Sequence, residues 1–139
     1  MRVPTSFVAA VVCAGAVVIA AACKSSTSGN GCGSGSPPSL VGSYDLQSYT
    51  IGTVTISAPA ATGTLRFHTN TYGADLVLPG PQVISDSGTY TITGASCISE
   101  NSLTGQPQFT GTFTLVGTTF SVTGSAGGQT VAAVWTKTS

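Results

Sequence analysis

Few side chains in this 139-residue sequence can do acid–base, metal or nucleophilic chemistry. Arg66 and His68 stand two apart in TLRFHT. On a strand they share the face opposite Leu65 and Phe67, where they offer a joint anion site or act simply as solvent-facing residues. Asp45, Asp75, Asp86 and Glu100 are scattered, with no spacing that makes a general acid–base pair. Asp86 lies in SDSG, which reads as a turn whose carboxylate hydrogen-bonds its own backbone. Serine is abundant, yet no Gly-x-Ser-x-Gly elbow occurs, and any Ser–His arrangement would depend on His68 alone. No zinc spacing, phosphate-cradling loop or dinucleotide fingerprint is present. No catalytic residue, metal or cofactor is assigned from these residues, and an enzyme is the least favoured reading.

The elements that must position these side chains begin after an apolar leader. Arg2 is followed by an uncharged run from Phe7 to Ala22. That run is too short and too rich in alanine for a membrane span of about 20 strongly apolar residues, and it fits the apolar region of a secretory signal. Residues 1–22 are therefore read as a signal peptide. Beyond it, Lys24, Arg66 and Lys137 face Asp45, Asp75, Asp86 and Glu100, one negative charge in excess. No basic patch exists to neutralise phosphates, so nucleic acid is not an expected partner. Gly, Ser and Thr dominate the remainder, as in an exported β protein with many turns.

The junction Ala20-Ala21-Ala22-Cys23 resembles the lipobox of bacterial lipoproteins. In that family, small residues precede a cysteine that is lipidated on sulfur and becomes the new N-terminus. The resemblance implies Cys23 as the lipidation site, a palmitate-type membrane anchor and a place in the cell envelope. An ordinary cleaved signal with Cys23 merely nearby is the alternative. Two or more acyl chains give stable anchoring where one does not. Lys24, in place of an aspartate after the cysteine, points to the outer membrane. With Cys13 lost in the leader and Cys23 lipidated, Cys32 and Cys97 remain in an oxidising compartment. An even remainder invites a Cys32–Cys97 disulfide; two free thiols are the alternative. Residues 23–39 then form the lipidated cysteine plus a Gly/Ser/Pro linker of about 22 Å root-mean-square span. The folded domain, residues 40–139, starts near Leu40.

Within that domain a short pattern recurs. GSYDL (42–46), GTVTI (52–56), GTLRF (63–67), GTYTI (88–92) and GTFTL (111–115) each place a Gly, then Ser or Thr, then apolar–any–apolar. Period two makes each a strand with one apolar face. Tyr44/Leu46, Val54/Ile56, Leu65/Phe67, Tyr90/Ile92 and Phe113/Leu115 are expected to face one interior. ADLVLP (74–79), TTFSV (118–122) and TVAAVWTK (130–137) supply further strands, with turns at Asn70–Gly73, Pro79–Pro81, Asp86–Gly88, Gly117–Thr118 and Gly124–Gly128. The fold class predicted is all-β: an antiparallel up-and-down meander of about eight short strands, closed into a barrel that leaves no exposed edges. A β-sandwich is the alternative.

LVGSYDLQSY, GTLRFHTNTYGADLVLP with SGTYTITG, and GTFTLVGTTFSVTG leading to VAAVWTK resemble the small bacterial lipocalin-like domains. The resemblance spans residues 40–137 and implies a lipocalin-like barrel. Where lipocalins carry Gly-x-Trp on the first strand, this chain has Gly42-Ser43-Tyr44, and Lys137 is the one candidate for the basic residue that packs over that aromatic. It also implies binding of a small apolar ligand, with Tyr44, Leu65, Phe67, Tyr90 and Phe113 as the expected contacts. The competing expectation is a filled barrel, whose aromatic residues are simply core and which serves as a non-catalytic structural or interaction protein docking an envelope protein partner on its surface.

Overall fold

The computed structural model describes residues 31–139. The signal peptide, the lipobox with Cys23 and the first part of the linker lie outside the described residues. The strands are β1 (Gly42–Ile51), β2 (Val54–Ser57), β3 (Thr62–Phe67), β4 (Thr71–Leu78), β5 (Gln82–Thr93), β6 (Cys97–Ser102), β7 (Phe109–Val116), β8 (Thr119–Ala126) and β9 (Gln129–Lys137). From β3 onward each strand pairs antiparallel with the next, β1 pairs with β3, and β9 returns to pair with β1. That last ladder closes a lipocalin-like barrel of eight strands with β2 left over. Closure leaves no edge strand within the ring of eight, only β2 keeps an unpaired edge, and the sandwich alternative is set aside.

The count of eight is right, but its membership differs from the sequence reading. β2 pairs only with the far end of β1, Ser48 to Ile51, and takes the same edge of β1 that β3 occupies earlier. Val54 is consequently 61% exposed and does not face the interior, while Ile56 packs partly against the core. The missing barrel strand is β6, CISENS, which bridges β5 and β7. Its polar residues outnumber its apolar ones, so alternation did not reveal it. The turn expected at Asp86–Gly88 is absent as well. β5 runs straight through SDSG, with Ala74 opposite Asp86 on one side and Ser102 opposite Gly88 on the other.

The other four repeat copies point inward. Tyr44, Leu46, Leu65, Phe67, Tyr90 and Phe113 are buried, and Ile92 and Leu115 pack against them. The register between β1 and β9 slips between Leu46 and Ser48, a bulge at Gln47. A bulge inserts one unpaired residue and reverses the inward parity beyond it. Tyr49 and Ile51, out of phase with Tyr44 and Leu46, thereby come to face the interior.

The lower end of the barrel is tied by the chain on both sides. Leu40 is 1% exposed and its carbonyl accepts the Tyr44 hydroxyl at 2.7 Å. Ser43 N–H donates to Ser139 O at 3.1 Å. Gly42 (φ +143°) is needed here, because a Cβ would stand 2.3 Å from that same Ser139 oxygen. Lys137 Nζ lies 5.7 Å from the centroid of the Tyr44 ring, a cation–π contact in the place expected for the basic residue. Cys32 and Cys97 form the disulfide, with Cα atoms 4.8 Å apart. The Ala95 and Ser96 amides both donate to Cys32 O, at 2.8 and 2.9 Å. The second part of the linker is thus fastened to the barrel, and all nine strands and the disulfide lie within the compact unit Cys32–Ser139.

Candidate functional site

The barrel interior is divided along its axis. Five aromatic rings fill the lower half. Phe67 packs edge-on against Tyr44 (5.9 Å between centroids), Tyr90 (4.8 Å) and Phe120 (5.6 Å). Phe120 also meets Tyr44 at 5.5 Å and Phe113 at 5.8 Å. These separations and tilted planes are the favoured ones for aromatic pairs. Tyr90 secures its hydroxyl by donating to His68 O at 2.7 Å. The five rings make a solid floor.

Above the floor is a cavity of about 280 Å³, open on one side. All eight strands of the ring contribute to its walls. β1 supplies Tyr49 and Ile51 beyond the bulge; β4 supplies Tyr72, Ala74 and Leu76. β7 and β8 contribute Phe109, Phe120 and Val122, and β9 contributes Val131, Ala133 and Trp135. Trp135, the single tryptophan of the chain, is 4% exposed. The lining is mostly apolar and the volume lies just under the usual range of small-molecule sites, about 300–1,000 Å³.

One wall is polar. Asp86 on β5 and Glu100 on β6 both line the cavity, with Gln106 and Gln129 nearer the mouth. Asp86 is held by three hydroxyls: Tyr72 donates to Oδ2 at 2.7 Å, and Ser102 and Thr104 donate to Oδ1 at 2.5 and 2.7 Å. Burial alone would raise its pKa, but the hydrogen bonds from Ser102, Tyr72 and Thr104, with one from the Ser87 amide, outweigh it and hold Asp86 below the usual carboxylate range. The Tyr72 hydroxyl is pushed the other way, by burial first and then by its bond to Asp86. Glu100 differs in kind. Among the described residues no group donates a hydrogen bond to it, and burial, followed by the nearby charge of Asp86, pushes its pKa up to about 7. Gly88 lets β6 come this close to β5, since a Cβ there would stand 2.0 Å from the Asn101 carbonyl oxygen.

Of the five residues expected to touch a ligand, Leu65 lines the cavity. Tyr44, Phe67, Tyr90 and Phe113 belong to the floor beneath it. The sequence reading missed Tyr49 and Ile51 because of the bulge, and Asp86 and Glu100 because neither segment alternates cleanly. Arg66 and His68 are exposed on the outer face of β3 and its following turn, beside Thr64 and Asp75. Asp75 accepts a hydrogen bond from Ser85 Oγ at 2.6 Å. Among the described residues no group of three or more His, Cys, Asp or Glu side chains is placed to hold a metal ion.

Comparison with protein-family models, with curated proteins and with solved structures finds no match. The likeness to lipocalin-like barrels therefore stands on fold alone: the closed eight-stranded antiparallel meander.

Proposed function

We propose that this protein is a lipid-anchored, non-catalytic component of the bacterial cell envelope whose lipocalin-like barrel binds a small apolar ligand in the open half of its interior. The observation that carries the reading is the cavity of about 280 Å³, walled by aliphatic and aromatic side chains above a solid aromatic floor. A barrel serving only as a scaffold has no need of such a void, because unfilled apolar space costs stability. Anchoring rests on Ala20-Ala21-Ala22-Cys23, with Lys24 favouring the outer membrane. The Cys32–Cys97 disulfide supports export to an oxidising compartment.

The ligand reading is tested with residues 24–139, which contain the whole barrel and its disulfide, exported behind a cleavable signal. Titration with the neutral probe N-phenyl-1-naphthylamine is expected to quench Trp135 by energy transfer and to saturate at one probe per barrel. Ala133, 5% exposed and facing the void, gives the control: Ala133→Phe fills the space and is expected to weaken the probe at least tenfold while the protein stays folded. Unsaturable quenching, or equal binding by the filled variant, would overturn the reading.

A further inference from the structure

The cavity is apolar and acidic at once. No cationic side chain lines it among the described residues, yet two carboxylates do. Asp86 is anionic and its oxygens are already engaged by Tyr72, Ser102 and Thr104. Glu100 is adjacent, half-buried, and has no hydrogen-bond donor among the described residues. No side-chain oxygen or nitrogen is buried without a hydrogen-bond partner among the described residues, so the Glu100 oxygens reach the open cavity, and a carboxylate partly withdrawn from water there favours a cationic partner. Here the open space beside Glu100 is where that partner would stand. The remaining walls include Tyr49, Phe109 and Trp135, whose ring faces also favour a cation over an anion.

Resting on the ligand-binding reading above, we propose that the cavity selects a small hydrophobic amine, whose apolar body fills the space against Trp135 and Phe109 and whose ammonium group meets the Glu100 carboxylate under the field of Asp86. A fatty acid is the opposite choice: its carboxylate would enter a negative field with no counter-charge on the wall. The cavity volume of about 280 Å³ matches a small molecule.

The test uses three probes of one chain length, n-octylamine, n-octanol and octanoate, titrated calorimetrically into residues 24–139 at pH 8. Octylamine is expected to bind about tenfold or more tighter than octanol, and octanoate more weakly than either. Glu100→Gln removes the charge while keeping the size of the side chain and the pairing of the Glu100 backbone with β5 and β7. It is expected to erase most of the amine preference, read as the ratio of octylamine to octanol affinity. Between pH 5 and pH 8 the amine preference is expected to grow, since octylamine stays protonated while Glu100 ionises. The other titratable groups facing Glu100 are Asp86 and Tyr90 on β5, Tyr72 on β4 and Tyr49 on β1; Asp86 is already ionised and the phenols stay neutral over that range. Equal affinity for amine and alcohol, or a preference untouched by Glu100→Gln, would overturn the amine proposal and leave the apolar cup standing. Binding of none of the three would overturn both.

Discussion

Phe67→Ala is expected to destabilise the barrel by about 4 kcal/mol, in the range for removing a buried phenylalanine. Phe67 is 1% exposed and is the ring that Tyr44, Tyr90 and Phe120 all share. Truncation loses the transfer energy of the ring, three aromatic pairings and the filled volume between them. Backbone ladders ring the floor around the barrel, so the wall cannot move in to close the hole. Urea unfolding with the disulfide intact reads the effect directly. Val116→Ala, at a side chain 74% exposed, serves as the comparison and is expected to change stability by less than about 0.5 kcal/mol. A loss below about 1 kcal/mol for Phe67→Ala would mean that the lower half of the barrel is not the packed floor described.

Replacing both Cys32 and Cys97 with Ser is the second large change. The bridge closes a loop with a sequence separation of 65. In the chain-entropy treatment, that removes about 4 kcal/mol of freedom from the unfolded state. The variant also frees the segment whose Cys32 carbonyl now accepts the Ala95 and Ser96 amides. The expected outcome is a folded barrel with stability lowered by about 3–4 kcal/mol, measured by urea unfolding against the oxidised protein. The dithiothreitol-reduced native chain should match the variant. Equal stability of oxidised and reduced protein would show that the bridge contributes nothing to the fold.

Much of the barrel is legible in the sequence because period-two alternation reports direction. Tyr44, Leu65, Phe67, Tyr90 and Phe113 all point inward, as their repeats predict. Alternation does not report height along the barrel axis, which is set by strand tilt and stagger. That is why the residues chosen as ligand contacts include four that belong to the floor, and why the repeat at Val54 looks like its siblings yet lies outside the ring of eight. The same local pattern serves a strand inside the ring and one outside it, and only the lack of a second partner strand sets β2 apart. Tyr49 and Ile51 were hidden by one extra residue at Gln47, since a bulge leaves no compositional mark in DLQSYTI. Asp86 and Glu100 were hidden for another reason. Ser-Asp-Ser-Gly has the composition of a turn, and only the hydroxyls of Tyr72, Ser102 and Thr104, brought from distant positions, make it tolerable within a strand. Long-range partners of this kind are what a single sequence conceals.

The central claim, that the upper half of the barrel is a site for a small molecule, is tested most directly by native mass spectrometry of residues 24–139 purified gently from a bacterial periplasm. The predicted spectrum shows the oxidised protein, two mass units below the reduced chain, carrying one bound small molecule that the Ala133→Phe variant lacks. A bare protein in both cases, still bare after incubation with N-phenyl-1-naphthylamine, would contradict the claim.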